Sequence, residues 1–288
     1  MRIAIVGLGG VGGYLAAMFA KSGLDVVGFG RGEHLLAIQE HGITVVEDET
    51  QWSVPLNAVE LNAAQGHFDV VFFCVKSYDL DEAYAKIAHT IDENSILLSF
   101  SNGVDNAQRL KKLSNAVVLE GCVYILSHIQ KAGIIRKKGK VFAAVFGGDD
   151  TNAVQKVADL FEKAQLRYKT PSDIKTAIWK KYIFIAAFAT LTSYYDTSIG
   201  DIYEHHYDEA KALLEEIAAF AKEQEGINID AEVQKALDTA AKVPYDSSTS
   251  MHLDFQNGKK VELESLSGYV KKPLMLKFYK ALKERVQV

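Results

Sequence analysis

A glycine-rich turn near the start of the chain is the first feature whose residue types and spacing could support chemistry. Gly7, Gly9 and Gly12 have the spacing G-x-G-x-x-G, between an apolar run at residues 2–6 and a helical pattern at residues 14–19. The first glycine permits a tight bend, the second lets the backbone approach a pyrophosphate, and the third lets the helix pack closely on the strand. Glycines cluster in structural turns too, but strand, turn and helix follow one another as a dinucleotide site requires. We therefore predict a cofactor-binding turn made of Gly7, Leu8, Gly9, Gly10, Val11 and Gly12.

Arg31 follows the second apolar run and bears on the choice between NAD and NADP. Enzymes that prefer NAD usually carry an acid at the end of this strand, where it bonds the ribose 2′-hydroxyl. Residues 28–31 read Gly-Phe-Gly-Arg, with no acid at the tip. A guanidinium can bond a 2′-phosphate and stack on adenine. The alternative is that Arg31 is a solvated surface residue, and the nearby Glu33 weakens the case for a 2′-phosphate contact. We predict NADP(H) as the cofactor.

Two more polar groups follow predicted strands, at the edge where ligands bind in an open α/β sheet. Lys76 follows the apolar run at residues 69–75, and Asn102 follows the run at residues 95–100. Lys76 could attract a substrate carboxylate or a cofactor phosphate. The Asn102 amide could hold the nicotinamide side of the cofactor or the substrate, although Asn102-Gly103 is also an ordinary turn sequence.

These motifs and a second set farther along the chain resemble the ketopantoate reductase (2-dehydropantoate 2-reductase) family over nearly the whole length. The N-terminal set contains the glycine turn, Arg31 with Glu33-His34-Leu35, Val75-Lys76 and Ser101-Asn102-Gly103. The more specific C-terminal set contains Trp179-Lys180-Lys181, Ser250-Met251, Asp254, Gly258, Glu262 and Gly268. The resemblance implies NADPH-dependent reduction of 2-dehydropantoate to pantoate, as in pantothenate biosynthesis.

Lys181 matches the family's proton-donating lysine, and the residues around it give independent support. Its neighbours Trp179, Tyr182 and Ile183 are apolar, so the helix is predicted to be buried, which disfavours the charged form of a lysine. Ketone reduction needs a proton or positive charge at the oxygen, which an ammonium can supply. The alternative is a lysine that extends to solvent along the helix, a role better suited to Lys180.

The resemblance also assigns roles to residues that would otherwise suggest little. Glu262 follows Lys259-Lys260 and by itself is typical of a solvated acid; the family match makes it a candidate to bond the lysine, the nicotinamide ribose or both. Ser250 matches a substrate-contacting serine, although a hydroxyl in a first helical turn is the simpler interpretation. The predicted site residues are Lys181 and Glu262 for catalysis; the glycine turn, Arg31, Lys76, Asn102 and Glu262 for the cofactor; and Asn102, Lys181 and Ser250 for the substrate.

Two positions depart from the family pattern on the helical face of Lys181. One and two turns farther along stand Ile185 and Ala189, where the family commonly has asparagines that we take to bind the pantoate hydroxyls. An isoleucine cannot hydrogen-bond a hydroxyl, so the sequence indicates a more apolar pocket. Two alternatives therefore stay open: a related reductase of another 2-keto acid, and a non-catalytic NADP-binding sensor.

The order of the predicted strands and helices that position these residues indicates an α/β fold. Strand-like runs alternate with helical patterns up to about residue 165, which is typical of an N-terminal Rossmann-type, doubly wound sheet. The later patterns are helical only, at residues 173–194, 207–225, 230–242, 247–256 and 273–286. We predict an NADP-binding domain at residues 1–168 and an all-helical substrate and catalytic domain at residues 169–288. Two hairpins are expected, residues 43–46 with 52–54, and residues 134–135 with 141–146 around the basic turn at 137–140.

Composition limits the partners and the compartment. The formal net charge of −5 argues against a general nucleic-acid or membrane-surface role. Cys74 and Cys122 lie in apolar runs and are predicted to be small core residues of a reducing compartment. A strand at residue 2 leaves no room for a signal peptide, and the apolar helix at 182–191 is too short to span a bilayer. We expect a cytoplasmic protein with a small 2-keto acid substrate and no metal, nucleic-acid or membrane partner; a homodimer is left open.

Overall fold

The structure is a computed structural model that describes residues 1–286. The chain forms two compact units. The first contains Met1–Ser101 and Asp105–Ile174, and the second contains Asn102–Val104 and the chain from Lys175 onward.

The first unit is built on a ten-stranded sheet. Its strands are β1 (Arg2–Val6), β2 (Asp25–Gly30), β3 (Ile43–Glu47), β4 (Thr50–Val54), β5 (Asn57–Glu60), β6 (Val70–Phe73), β7 (Ile96–Ser99), β8 (Val117–Lys131), β9 (Ile134–Gly147) and β10 (Tyr168–Lys169). The order is β4-β3-β9-β8-β7-β6-β1-β2-β5, and β10 pairs with β9. From β5 to β8 all neighbours are parallel, whereas β8 pairs with β9 and β3 with β4 in antiparallel fashion.

Helices connect the parallel strands, and the central strands β1, β6 and β7 are buried on both faces. The helices of this unit are α1 (Gly10–Lys21), α2 (Gly32–His41), α3 (Leu80–Ile87), α4 (Asn106–Leu113) and α5 (Thr151–Lys163). Successive residues of β1 enter different cores: Ile3 and Ile5 join one apolar cluster, and Ala4 and Val6 join the other. The continuous apolar runs of the sequence are thus explained, because a central parallel strand has no solvent-facing side.

The second unit is helical. Its helices are α6 (Ile174–Tyr195), α7 (Ile199–His205), α8 (Tyr207–Glu225), α9 (Asp230–Ala240), α10 (Ser250–Gln256), α11 (Leu263–Leu266) and α12 (Pro273–Val286). Tyr182 and Ile183 of α6 are each 1% exposed and belong to one apolar core. Gly226 ends α8 in the left-handed conformation, at φ +69°. Within residues 1–286, no helix combines the length and apolar character needed to cross a membrane.

The predicted fold class, a Rossmann-type sheet followed by a helical part, is confirmed. The first predicted hairpin is also confirmed, since β3 and β4 pair in antiparallel register from Ile43↔Val54 to Glu47↔Thr50.

The predicted turn at residues 137–140 is wrong, because these residues lie within the continuous strand β9. The hairpin forms instead between β8 and β9, around Gly133, which has a positive φ of +75°.

Lys137 explains this error, since it is only 6% exposed and its charge is compensated. Its Nζ lies 3.2 Å from a carboxylate oxygen of Glu47, its register partner on β3. Although burial opposes ionisation, hydrogen bonds from Lys137, Trp52 and Tyr14 hold the pKa of Glu47 below its usual range. A run of basic residues suggests a solvated turn, but this lysine is an inward-facing member of a strand.

Candidate functional site

The glycine turn joins β1 to α1 in the geometry that its spacing predicts. Gly7 has a φ of +98°, which favours glycine, and its N–H donates to the Phe29 carbonyl at 2.9 Å. A Cβ on Gly12 would collide with the Gly7 carbonyl oxygen, so the close approach of helix and strand requires glycine there. These two glycines are needed by the fold itself.

Gly9 differs from them because the space beside it is open. A Cβ at Gly9 would meet no atom within 4 Å. The same residue precedes α1, whose first turn contains no acidic residue. An open approach to the positive end of a helix is what a pyrophosphate requires, so the turn fits a dinucleotide.

The β8–β9 hairpin packs against the other side of this turn. A Cβ on Gly10 would collide with the Ser127 carbonyl on β8, and one on Gly13 would lie 2.7 Å from Ile135 on β9. The hairpin backbone therefore restricts Gly10 to glycine, whereas a larger residue at Gly13 would require the Ile135 side chain to shift; the G-x-G-x-x-G spacing does not predict either constraint.

His34, which the sequence analysis names only as part of the family motif, links α2 to the β8–β9 hairpin. Its Nδ1 accepts a hydrogen bond from the Gly133 N–H at 3.0 Å. Burial lowers the pKa of the ring, and the backbone of Leu8 only partly opposes this shift. The imidazole is therefore neutral at neutral pH, with Nδ1 as the acceptor and the proton on Nε2.

Arg31 stands at the carboxyl end of β2, immediately before α2. Its side chain is 91% exposed, and its nearest charged partner is Asp79, with 3.9 Å between a guanidinium nitrogen and a carboxylate oxygen. The half-buried Lys76 precedes a short helical turn, Ser77–Asp79, that follows β6. Asp79 was not predicted as a site residue, although its position just beyond a strand end is a signal that could have identified it.

In the second unit, the structure brings together two residues that are both predicted to bind the substrate. Lys181 Nζ donates to Asn102 Oδ1 at 3.1 Å, across 79 residues of chain. Lys181 is half-buried on α6, whereas its neighbour Lys180 is exposed. The amide oxygen is a neutral acceptor, so this bond orients the ammonium without itself neutralising the charge.

The hydroxyl of Tyr182 ties the Lys181 region of α6 to the short helix α11. It donates to the Ser265 and Leu266 carbonyls, at 2.9 and 3.1 Å. Glu262 directly precedes α11, and its carbonyl accepts the Leu266 N–H at 3.1 Å. Glu262 is only 3% exposed. This burial excludes the interpretation of Glu262 as a solvated surface acid, which its basic neighbours suggested.

Ser250 is the first residue of α10 and is exposed. The residue before it, Thr249, caps the helix by accepting the His252 N–H on Oγ1 at 3.3 Å. On α6, Ile185 is half-buried and Ala189 is 2% exposed, so the face that follows Lys181 is apolar.

Comparisons with known proteins agree over both parts of the chain. Residues 3–148 match the family model described as "Ketopantoate reductase PanE/ApbA", and residues 173–272 match "Ketopantoate reductase PanE/ApbA C terminal". A relative from Bacillus subtilis, named uncharacterized oxidoreductase YkpB, is 27% identical over 94% of this chain and 91% of its own length.

Two of the solved structures that cover the whole of this chain are named as reductases of this type. One is a 2-dehydropantoate 2-reductase from Porphyromonas gingivalis W83, 32% identical, with a TM-score of 0.84 and 99% of its length covered. The other is a PanE/ApbA family ketopantoate reductase from Ralstonia eutropha JMP134, 26% identical, with a TM-score of 0.91 and 99% covered. With the two family models they establish that the chain belongs to the ketopantoate reductase family and is an oxidoreductase.

Proposed function

We propose that this protein reduces a 2-keto acid with NADPH, and that 2-dehydropantoate, which would yield pantoate, is the first candidate substrate. The observation that carries the proposal is the 3.1 Å hydrogen bond from Lys181 Nζ to Asn102 Oδ1. It holds a cationic donor on an apolar helix, in a chain whose two parts both match the ketopantoate reductase models.

Lys181 is the proposed proton donor. Bound NADPH supplies hydride to the 2-keto carbon. The ammonium of Lys181 transfers a proton to the keto oxygen, which becomes the hydroxyl of the product, and it stabilises the negative charge that develops there. An ammonium has three N–H donors, so the bond to Asn102 is compatible with one to the substrate. Glu262 is proposed to bond the lysine, the nicotinamide ribose or both, and Ser250 to contact the substrate.

Most of the residues proposed to bind NADPH lie in the first unit, whereas Asn102 and Glu262 lie in the second. The open approach at Gly9 and the acid-free first turn of α1 suit the pyrophosphate. The exposed guanidinium of Arg31 suits a 2′-phosphate, because it is planar and can donate two parallel hydrogen bonds. Lys76 is proposed to add positive charge for a cofactor phosphate, and Asn102 to contact the nicotinamide side.

A second candidate substrate is a 2-keto acid with an apolar side chain. Ile185 and Ala189 follow Lys181 by one and two turns of α6, and neither side chain can bond a hydroxyl group. Removal of the single hydroxyl group of 2-dehydropantoate from water without a partner would weaken binding, whereas an aliphatic side chain would lose nothing there.

Consumption of NADPH, followed by its absorbance against a panel of 2-keto acids, tests this proposal. We expect turnover with 2-dehydropantoate or with a branched aliphatic 2-keto acid. A preference for the aliphatic acid of about tenfold or more in kcat/KM would indicate the apolar pocket, since one unpaired polar group costs roughly 1–3 kcal/mol. Tight NADPH binding without turnover of any acid would contradict the proposal and support the sensor alternative.

A further inference from the structure

Hydrogen bonds through a buried histidine join the end of α6 to the first turn of α10. The His252 side chain is 5% exposed, and both of its ring nitrogens are engaged. Nδ1 lies 2.7 Å from the Ser248 hydroxyl, and Nε2 lies 2.7 Å from a carboxylate oxygen of Asp196. Asp196 directly follows α6, and Ser248 lies just before α10. None of these three residues belongs to the predicted site.

The backbone and the side chain of Asp196 are both held in defined conformations. Its φ of +52° lies in the left-handed region, which is uncommon for a residue other than glycine. Hydrogen bonds from His252 and from Gln256, the latter at 3.1 Å, hold the pKa of its carboxyl below the usual range. An ionised carboxylate only accepts hydrogen bonds, so His252 must donate from Nε2.

A second link joins the same two helices. The Thr192 hydroxyl on α6 donates to the Phe188 carbonyl at 2.7 Å, so its proton is already engaged. In the 2.9 Å contact between Thr192 and Thr249, Thr249 must therefore be the donor. The oxygen of Thr249 in turn accepts the His252 N–H that starts α10. Both links end within two residues of Ser250.

Ser250 itself is exposed, but each residue beside it is held. Thr249 is bonded to α6, and the side chain of Met251 is fully buried in the helical core. The first turn of α10 is therefore attached to α6, the helix that also carries Lys181.

We propose that Asp196 and His252 are positioning residues that hold Ser250 in place to bind the 2-keto acid. This inference rests on the proposed function, in which Ser250 contacts the substrate. Neither residue needs to touch the substrate, since each acts through the placement of the α10 backbone. Asp196 gives the cleaner test because its side chain is 71% exposed, so removal of the carboxylate leaves no cavity in the core.

The test compares Asp196→Ala, Asp196→Asn and Ser250→Ala in the full-length protein. For Asp196→Ala we expect the KM for the 2-keto acid to rise on the order of tenfold, as for loss of one charge-assisted hydrogen bond. The kcat and the Kd for NADPH should stay within about twofold of the unmodified protein. Asp196→Asn should recover most of the loss, because its amide oxygen can still accept from Nε2.

Asp238→Ala is the matched control, since Asp238 is also exposed and accepts one glutamine amide, from Gln234 at 2.8 Å. It should leave the KM unchanged.

The double variant Asp196→Ala/Ser250→Ala distinguishes positioning from a general loss of structure. If Asp196 acts through Ser250, the double variant should have nearly the KM of Ser250→Ala alone. Additive increases in KM, or an unchanged KM in Asp196→Ala, would overturn the positioning role while the reductase function stands. If the unmodified protein turned over no 2-keto acid, both the proposed function and this role would be overturned.

Discussion

Lys181→Ala should lower kcat for 2-keto acid reduction by about 10²–10⁴-fold, the contribution typical of a general acid. The alanine variant has neither the proton nor the positive charge that the keto oxygen needs as hydride arrives at the carbon. The Kd for NADPH should change by less than about twofold, because the residues proposed to bind the phosphates lie elsewhere. Steady-state kinetics and a fluorescence titration with NADPH measure the two quantities.

Lys180→Ala is the control for this substitution. Lys180 is adjacent in sequence and equally charged, but it is exposed on α6 where Lys181 is half-buried. We expect its kcat to stay within about twofold, as for a surface substitution. Full activity in Lys181→Ala would refute the proton-donor assignment, and equal losses in the two variants would point to a general charge effect.

Arg31→Ala should raise the KM for NADPH by about 10–100-fold and the KM for NADH by less than about threefold. The larger effect reflects loss of charge-assisted hydrogen bonds to a 2′-phosphate, worth roughly 1.5–3 kcal/mol. The substitution should leave the fold intact, because the Arg31 side chain is 91% exposed. Initial rates with each cofactor at saturating keto acid give the two KM values.

Glu33→Gln provides the complementary test of cofactor choice. Glu33 lies in the first turn of α2, two residues after Arg31. If Arg31 recognises a 2′-phosphate, removal of this nearby negative charge should leave the KM for NADPH unchanged or slightly lower. A higher KM for NADH in Glu33→Gln, with equal effects of Arg31→Ala on both cofactors, would contradict NADP specificity and favour NAD.

The parallel part of the fold could be predicted from local sequence, because its signals are local. The strand, glycine turn and helix at the start of the chain are contiguous, and central strands such as β6 are continuous apolar runs. The long β8–β9 hairpin could not be predicted in this way. Within this hairpin, the buried Lys137 pairs with Glu47, which is remote in sequence, so local patterns do not identify it as a strand residue.

The candidate site, like the fold, could be predicted from local sequence only in part. Composition and periodicity identified a lysine on an apolar helix, but nothing local connects Lys181 to Asn102, 79 residues away. Only the family resemblance assigned both to one site. Burial of Glu262 was likewise hidden by its basic neighbours, and the bond between His252 and Asp196 spans 56 residues. Contacts over such separations form through tertiary packing, which local patterns do not encode.

Transfer of deuterium from NADPH to the product tests the central claim, reduction of a 2-keto acid, most directly. The protein would be incubated with NADPH deuterated at both C4 positions and the best acid of the panel, and the product would be analysed by mass spectrometry. The account predicts a 2-hydroxy acid that carries a single deuterium at C2. A product without deuterium, or NADPH binding with no hydroxy acid formed from any member of the panel, would contradict it.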